Sequence, residues 1–425
     1  MMEGSLKYNI SIIGLGYVGL PLAKLFVEKG HTVYGIDANE QKVNMLLKRQ
    51  SYLTDFRKNE IRGLFSTNRF HVGTSFEAVA KTEVVILCVP TPLDSNHQPD
   101  LSYVLQAAQS TIPYLKRGQL FVLESSTFPG TSEEKLKPIL ESTGLLVGRD
   151  ISLAYSPERI DPGSTWELAQ IPKVVGGVTP SCTAFAKSVY SAAFDEVVVV
   201  SSPRVAEMTK LLENCQRFIN ISFMNSLLQV SEQLDINLWE AIEAAGTKPF
   251  GFTKYYPGPG VGGHCIPVDP LYLLWKAREL QLDLPFIELS HQVNETMPEY
   301  IVERVVKSLY PKSAGESSVL VIGVTYKKDV NDMRESSAIP IMEKMQEAGL
   351  KFEYFDPYIH ELTIKGKKYR TLPLTARNVK KFDCTLILTD HSDISYELLV
   401  ENSTIVLDTR NATKNMKDRQ SITLL

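Results

Sequence analysis

The sequence is poor in the residues that build disulfide frameworks and metal sites. Its 425 residues include five cysteines and seven histidines, and no Cys-x-x-Cys pair occurs. A small, odd number of widely spaced cysteines argues against a disulfide framework and for a reducing compartment, so we expect a cytoplasmic protein. No cluster of further ligands surrounds any cysteine, and we therefore expect no metal ion.

Long apolar runs and a strong net charge are also lacking. No stretch of about 18 apolar residues is present, so no membrane span and no membrane partner are predicted. The net charge of −4 provides no broad basic field, which argues against a nucleic-acid partner. The length exceeds what one ordinary core accommodates, and two or three domains are expected.

Strand-type apolar runs alternate with helical patterns over the first part of the chain. This alternation is typical of an α/β fold with a doubly wound parallel sheet. The runs are Tyr8–Ile13, His31–Ile36, Glu83–Val89, Leu120–Glu124, Ile151–Tyr155 and Glu196–Val200. The same alternation returns near the C-terminus, which predicts a second Rossmann-like domain. Its runs are Ser318–Ile322, Phe352–Phe355, Thr385–Leu388 and Thr404–Leu407.

A long helical pattern from Val205 to Ala245 separates these two regions. It exceeds the usual length of a globular helix, which favours a helix that spans two domains or forms a homodimer contact; a merely buried helix is the alternative. We therefore predict two Rossmann-like doubly wound domains joined by a long central helix region. The predicted domains are residues 1–203, 204–309 and 310–425.

A glycine cluster after the first strand predicts a dinucleotide site. The run Gly14-Leu15-Gly16-Tyr17-Val18-Gly19 has a strand before it and a helix after it, and Asp37 follows 18 residues beyond Gly19. Gly14 allows a tight turn, Gly16 lets the backbone approach the pyrophosphate, and Gly19 lets the helix pack closely. An acid at Asp37 binds the ribose and repels a 2′-phosphate, which favours NAD over NADP. A purely structural glycine turn is the alternative.

A second segment is predicted to line the same edge of the sheet. Cys88-Val89-Pro90-Thr91-Pro92 follows a strand, and ligands of such sheets bind at the carboxyl ends of the strands. Val89 and Thr91 are therefore candidate cofactor contacts. Cys88 itself is expected to be a small buried residue.

The run Gly262-Gly263-His264-Cys265-Ile266-Pro267-Val268-Asp269 places a thiol four residues before a carboxylate on a glycine-rich turn. A buried structural cysteine is the simpler interpretation. Beside a hydride acceptor, however, a thiol that captures a carbonyl allows an alcohol to be oxidised past the aldehyde to the acid. Lys210 and Asn214 lie one helical turn apart, so both can point into one site.

Six motifs occur in order and together carry a family resemblance. They are Gly14–Gly19, Ser125-Ser126-Thr127, Ser156-Pro157-Glu158-Arg159, Lys210-Leu211-Leu212-Glu213-Asn214, Gly262-Gly263-His264-Cys265 and Tyr326-Lys327-Lys328-Asp329. The chain resembles the UDP-glucose/GDP-mannose dehydrogenase family of nucleotide-sugar dehydrogenases. The resemblance extends from Tyr8 to Arg410.

The resemblance implies an NAD-dependent, two-step oxidation of the sugar C6 hydroxyl to a carboxylate, without release of the aldehyde. It implies that Cys265 is the nucleophile and that Lys210 stabilises the developing oxyanion beside Asn214. Asp269 and Thr127 then position a water for proton transfer, and Glu158 is the general base for thioester hydrolysis.

The resemblance also implies the contacts that bind substrate and cofactor. The implied UDP-sugar contacts are Glu158, Arg159, Lys210, Asn214, Tyr256, Gly262, Lys327 and Arg410. Tyr17, Val18, Thr127 and Arg334 are the further cofactor contacts, with Arg334 contributed by the C-terminal domain.

Three segments are similar to the branch of the family that oxidises UDP-N-acetylhexosamines. They are Tyr255–Pro270, Glu158–Gly163 and Lys248–Phe252. UDP-N-acetylglucosamine is therefore the favoured substrate, with the galacto and manno epimers and UDP-glucose left open, because a single contact distinguishes them. UDP-glucose enzymes place a cross-subunit arginine where this chain has Pro249; Lys248 and Lys254 are the neighbouring cations.

Two other classes of function remain open. A non-catalytic nucleotide-sugar-binding protein would keep the fold without the chemistry. A two-electron dehydrogenase or imine reductase would need no thiol and would form one NADH per substrate rather than two.

Overall fold

The computed structural model of the chain describes residues 6–53, 56, 58–94, 96–160 and 166–425. These residues form two compact units. The first comprises the chain up to Glu213 together with Leu271–Leu282, and the second comprises Asn214–Pro270 and Asp283–Leu425. Among the described residues, no helix is long and apolar enough to cross a membrane.

The first unit is built on an eight-stranded sheet. Its strands are β1 Asn9–Ile13, β2 Thr32–Ile36, β3 Phe70–Gly73, β4 Val84–Leu87, β5 Leu120–Leu123, β6 Ser152–Tyr155, β7 Lys173–Gly177 and β8 Val197–Val199. They lie in the order β3-β2-β1-β4-β5-β6-β7-β8. This order confirms the predicted doubly wound sheet. The parallel pairing is interrupted once, because β7 runs antiparallel to β6.

Helices cover both faces of this sheet. They are α1 Gly19–Glu28, α2 Glu40–Leu47, α3 Lys58–Ser66, α4 Ser102–Thr111, α5 Lys137–Glu141 and α6 Pro180–Ser191. Every residue of β4 and β5 is buried, as expected for central strands of a sheet with both faces covered. These strands read as continuous apolar runs, which is why the sequence pattern located them.

The second unit contains a five-stranded parallel sheet. Its strands are β9 Ser318–Ile322, β10 Lys351–Phe355, β13 Cys384–Ile387, β14 Val406–Asp408 and β15 Ile422–Leu424. They lie in the order β10-β9-β13-β14-β15, which confirms the predicted second Rossmann-like sheet. A separate antiparallel hairpin, β11 Glu361–Ile364 with β12 Lys367–Arg370, was not indicated by the sequence pattern.

The remaining helices include a long one that follows β8 in the chain. They are α7 Pro203–Gln233, α8 Leu238–Ala245, α9 Asp269–Glu279, α10 Pro285–Leu309, α11 Ala338–Glu347, α12 Ala376–Val379 and α13 Tyr396–Asn402. The predicted helix from Val205 to Ala245 is divided in the structure. Asp235 adopts a left-handed φ of 53°, and the side chain of Asn237 caps the start of α8.

A buried carboxyl anchors the first turns of α7 to a neighbouring loop. Glu207 accepts hydrogen bonds from the backbone N–H groups of Gly130 (2.6 Å) and Ser132 (2.9 Å), and from the Ser132 hydroxyl (2.8 Å). Burial raises the pKa of Glu207 from its ordinary value of 4.5 to about 7, against the opposing effect of these hydrogen bonds. Between about pH 4.5 and pH 7, the folded protein therefore holds a proton on Glu207 that the unfolded chain releases.

This raised pKa predicts a pH-dependent stability. The contribution of Glu207 is fully present below pH 4.5 and is lost as pH rises through about 7. Between pH 5 and pH 8 we expect the wild-type protein to lose on the order of 1–3 kcal/mol relative to Glu207→Gln, which does not titrate. Denaturation midpoints of both proteins across this range measure the effect.

The exposed Glu240→Gln on α8 serves as the control and should track the wild type at every pH. A difference between Glu207→Gln and wild type that stays constant from pH 5 to pH 8 would contradict the raised pKa.

Candidate active site

The turn after β1 is shaped by two glycines that no other residue could replace without movement. Gly14 has a φ of 92° and its backbone N–H donates to Ile36 O (2.8 Å). A Cβ atom on Gly14 would lie 2.6 Å from Cys88 O, and one on Gly19 would lie 1.9 Å from Gly14 O. The chain thus brings β1, β4 and the start of α1 closer together than side chains allow.

Gly16 differs from its two neighbours in the motif. A Cβ atom added there would meet no atom within 4 Å, so the space beside Gly16 is open. This opening adjoins the first turn of α1, where oriented backbone N–H groups favour a phosphate. The glycine turn therefore fits the pyrophosphate of a dinucleotide, and NAD bound there supplies a hydride acceptor.

Asp37 lies at the end of β2 and is buried. Its Oδ2 accepts from the backbone N–H of Leu15 and its Oδ1 from that of Asn39, both at 2.9 Å. A carboxylate oxygen accepts more than one hydrogen bond, so Asp37 can hold the glycine turn and still receive a ribose hydroxyl.

The segment after β4 is fixed by its backbone. Ser125 Oγ donates to Val89 O (2.7 Å), and the Tyr272 hydroxyl donates to Thr91 O. Thr91 and Thr127 are buried. The structure therefore places Val89 and Thr91 at the carboxyl edge of the sheet, next to the loop that carries Ser125 and Thr127.

The cysteine turn forms the start of α9. Cys265 O accepts from the backbone N–H groups of Val268 (3.2 Å) and Asp269 (2.8 Å), so the thiol-bearing residue lies one turn before the helix. The Cys265 side chain is partly exposed, whereas the other four cysteines are buried. The structure describes all five cysteines, and none of them forms a disulfide.

Glycines allow the cysteine turn to pack against the Tyr326–Asp329 motif. A Cβ atom on Gly263 would lie 2.7 Å from the Tyr326 ring, and one on Gly262 would lie 2.5 Å from Glu335 O. Gly263 also has a φ of 92°, which favours glycine. Two motifs that lie far apart in the sequence therefore meet within the second unit.

A buried hydrogen bond joins α7 to the cysteine turn. Asn214 Nδ2 donates to Asp269 Oδ2 (2.6 Å), and both side chains are buried. Cys215, the next residue on α7, has its pKa raised to about 12 by burial and by the Asp269 carboxylate. Cys215 is thus held as a neutral thiol, unlike the nucleophile expected at Cys265.

Within the first unit, the loop after β6 contacts the same helix. Arg159 Nη2 forms an ion pair with Glu213 Oε1 (2.7 Å), and Arg159 Nη1 donates to Pro172 O (2.9 Å). Lys210, one turn earlier on α7, is buried, as is Glu158. The Arg159 side chain is thus positioned by contacts with Glu213 and Pro172. The motif residues Asp161–Gly163 lie outside the described residues.

Two arginines of the C-terminal domain that were predicted to contact ligands differ in their surroundings. Arg410 is partly buried, its Nε donates to Leu388 O (2.9 Å), and burial lowers its pKa. A Cβ atom on Gly258 would lie 2.9 Å from Arg410 Nη1, so the glycine-proline loop packs on this guanidinium. Arg334 is half-exposed and pairs with Asp332 (2.7 Å).

Lys248 and Lys254, the cations near Pro249, both have partners within the protein. Lys254 pairs with Glu243, which also accepts from the Tyr256 hydroxyl, and Lys248 lies over the Phe250 ring at 4.8 Å. The Tyr256 ring stacks on that of Trp239, with centroids 5.2 Å apart.

Two buried residues beside Glu158 were missed by the sequence analysis. Lys173 and Glu124 form an ion pair of 2.8 Å, and Lys173 also lies 3.7 Å from Glu158. The available signal was a lysine directly before the apolar run Val174–Gly177, where a charged residue needs a partner.

Within the described part of the chain, no group of three metal-ligating side chains is close enough to hold a metal ion.

The fold and the site define a nucleotide-sugar dehydrogenase that uses NAD. The chain belongs to the UDP-glucose/GDP-mannose dehydrogenase family. Its residues 8–194 match the NAD-binding domain of that family, 204–296 the central domain and 320–415 the UDP-binding domain.

Named relatives extend over nearly the whole chain. A UDP-N-acetyl-D-mannosamine dehydrogenase of Methanocaldococcus jannaschii is 34% identical, covering 95% of this chain and 92% of its own. Protein CapL of Staphylococcus aureus is 36% identical, with 94% and 95% covered. The solved structure of a Pyrococcus horikoshii UDP-D-ManNAc dehydrogenase has a TM-score of 0.89 and 29% identity, with 98% of each chain covered.

The contrasting surroundings of Gly16 and Gly19 predict different defects. Gly16→Ala places a methyl group in open space, so we expect a melting temperature within about 2 °C of wild type and NADH binding weakened by about tenfold or more. Gly19→Ala forces a clash with Gly14 O and should lower the melting temperature by several degrees. Calorimetric titration with NADH and thermal unfolding measure the two effects.

Gly63→Ala on α3, where a Cβ atom also meets nothing within 4 Å, is the matched control: it should leave NADH affinity unchanged, and its melting temperature should not fall, because alanine favours a helix interior. Wild-type NADH affinity in Gly16→Ala would show that the dinucleotide does not approach this backbone.

Proposed function

We propose that the protein oxidises the C6 hydroxyl of a UDP-N-acetylhexosamine to a carboxylate, reducing two NAD per sugar. The family membership makes it a UDP-sugar dehydrogenase. The observation that carries the finer proposal is the buried Asn214–Asp269 pair at the turn that bears Cys265. A carboxylate and an amide held there without solvent suit proton transfer next to a nucleophile.

The first oxidation removes a hydride from C6 and a proton from its hydroxyl, which gives the aldehyde. In the proposal a water held by Asp269 and Thr127 takes the proton, and the Lys210 ammonium and Asn214 amide stabilise the negative charge on oxygen. The Cys265 thiolate then adds to the carbonyl carbon, and the new C–S bond retains the aldehyde as a thiohemiacetal.

The second oxidation removes another hydride from C6 and leaves a thioester. Water attacks the thioester carbon, a C–O bond forms, the C–S bond breaks, and the Cys265 thiolate leaves. Glu158 accepts the proton of the attacking water. Four electrons leave the sugar as two hydrides, and one water supplies the second carboxylate oxygen.

UDP-N-acetylglucosamine is the proposed sugar. Support comes from the Lys248–Phe252 and Tyr255–Pro270 segments, which resemble the UDP-N-acetylhexosamine branch, and from Pro249 in place of the arginine of UDP-glucose enzymes. UDP-N-acetylmannosamine is the second candidate, because the Methanocaldococcus jannaschii relative carries that name. The two sugars differ at one carbon, and one polar contact is enough to select between them.

The division into domains 1–203, 204–309 and 310–425 and the cytoplasmic location are kept as part of the proposal. The contacts of Lys327, Arg410 and Tyr256 with the UDP-sugar, and of Arg334 with the cofactor, belong to it as well. The product, an acidic nucleotide sugar, suits the assembly of a surface polysaccharide.

NADH yield tests the proposed chemistry. With limiting UDP-N-acetylglucosamine and excess NAD, we expect two NADH per sugar, and slower turnover of the manno, galacto and glucose analogues. Absorbance at completion gives the yield, and initial rates give the preference. Two NADH from another sugar would move the substrate, whereas one NADH would refute the four-electron reaction.

Cys265→Ala tests the covalent step in the same assay. Because the aldehyde can no longer be captured, we expect acid formation to fall by at least about a hundredfold. Cys384→Ala, which removes a buried thiol of the C-terminal sheet, is the control and should retain two NADH per sugar. Full turnover by Cys265→Ala would exclude the thioester.

The exposed face of α7 supports the proposed homodimer. Leu212, Phe223 and Val230 are 60%, 55% and 54% exposed, and their spacing places them along one side of the helix. Water-exposed apolar side chains aligned over so many turns are typical of an association surface.

The double variant Phe223→Glu/Val230→Glu should therefore be monomeric. Light scattering after size exclusion should give about 47.6 kDa for the variant and twice that mass for the wild type. Leu47→Glu, an equally exposed leucine on α2, is the control and should remain dimeric. A wild-type monomer would contradict the proposal.

A further inference from the structure

One ammonium group lies between two buried carboxyl groups in the first unit. Lys173 is 3% exposed, Glu124 0% and Glu158 7%. Lys173 Nζ is 2.8 Å from Glu124 Oε2 and 3.7 Å from Glu158 Oε2. The Tyr190 hydroxyl donates to the other oxygen of Glu124. Cys88 is a further titratable group of this cluster among the residues that the structure describes.

The antiparallel strand explains why these residues meet. Glu124 directly follows β5, and Glu158 lies three residues beyond β6, so both are at the carboxyl ends of parallel strands. Because β7 runs in the opposite direction, its first residue, Lys173, lies at that same edge. Without this reversal, the side chain of Lys173 would lie at the far edge of the sheet.

The two oxygens of Glu158 have different surroundings. Oε1 accepts from the backbone N–H of Ile160. Oε2 is buried and has no hydrogen-bond partner among the described residues, and the Lys173 ammonium is its nearest cation. A buried carboxylate with an unsatisfied oxygen is costly unless a positive charge offsets it. The Lys173 ammonium therefore compensates Oε2 and fixes the direction in which the carboxyl group points.

Lys173 also holds the backbone that carries Glu158. Its Nζ donates to Pro157 O (3.3 Å), and Ser156 Oγ donates to Val174 O (2.8 Å). The first two residues of β7 thus fix the peptide just before Glu158. The side chain and the backbone of Glu158 are both set by this strand.

We propose that Lys173 is a positioning residue for the general base: its ammonium holds the Glu158 carboxyl and the peptide before it in place, while Glu124 competes for the same ammonium. The inference rests on the proposed function in one respect, the assignment of Glu158 as the base of thioester hydrolysis. Lys173 acts through Glu158 and does not itself touch the reacting atoms.

Lys173 is the positively charged group of this cluster. Burial tends to lower the pKa of Lys173, but the Glu124 and Glu158 carboxylates outweigh it and the pKa is raised. Burial raises the pKa of Glu124, and it raises those of Cys88 and Tyr190 well above their ordinary values. Cys88 and Tyr190 are therefore neutral near pH 7. The electrostatic partners of Glu158 in this cluster are then Lys173 and Glu124.

Two substitutions should move Glu158 in opposite directions. Lys173→Met removes the ammonium, so the Glu158 carboxyl should titrate at higher pH, by one unit or more. Glu124→Gln removes the competing carboxylate, so Glu158 should titrate at lower pH. Lys173→Arg keeps the charge and should restore most of the wild-type behaviour. A purely structural role for Lys173 predicts no such opposition.

The carboxyl pKa is measured directly in the full-length protein without substrate. Carbon-13 NMR of protein labelled at glutamate Cδ follows the titration, and Glu158→Gln assigns the signal. The pH dependence of kcat for NADH formation is the second readout. The acidic limb of the kcat profile should move to higher pH in Lys173→Met and largely return in Lys173→Arg, with little change in KM for NAD, because only the ionised carboxylate accepts a proton.

An unchanged Glu158 titration in folded Lys173→Met would overturn the proposal. If that variant does not fold, Glu124→Gln decides, since its Glu158 signal must move to lower pH. Should the carboxyl shifts appear while wild-type protein forms no NADH from any UDP-sugar, the proposed reaction would fail and the charge coupling would stand.

Discussion

The hydrogen bond from Asn214 to Asp269 is the constraint on which the chemical site depends. It is short, at 2.6 Å, and both partners are buried, so losing either one would leave a buried polar group unsatisfied. Asp269 N–H also donates to Cys265 O, which ties the cysteine turn to the same helix. Lys210 lies one turn before Asn214 in the same helix, α7.

Buried charge is the second recurring feature of the molecule. The pKa of Glu207 is raised because three hydrogen bonds do not fully offset burial, whereas that of Lys173 is raised because two carboxyl groups outweigh burial. Burial disfavours the charged form of both side chains. Around Glu207 only hydrogen-bond dipoles oppose this effect and the neutral form gains, whereas around Lys173 two full charges oppose it and the charged form prevails.

The sequence located elements whose pattern depends on local periodicity. β9 was predicted with its bounds, and the central strands were found because burial on both faces makes them continuously apolar. The glycine turn was predicted because a tight turn with close backbone approach requires glycines at this spacing. The short strand β3 and the hairpin of β11 with β12 were missed, since their residues are partly exposed and form no continuous apolar run. The break at Asp235 was missed because an unfavourable φ at a single residue leaves no pattern.

By itself the sequence determined two largely parallel sheets, the dinucleotide turn and a thiol four residues before a carboxylate, because each follows from residues that are close along the chain. Only the tertiary structure decided that β7 runs antiparallel and places Lys173 between Glu124 and Glu158. Only it showed that Gly263 packs on Tyr326, and that Asn214 rather than Cys215 bonds to Asp269. These contacts join segments far apart in sequence, and their energy depends on distance and burial in three dimensions, which residue order does not encode locally.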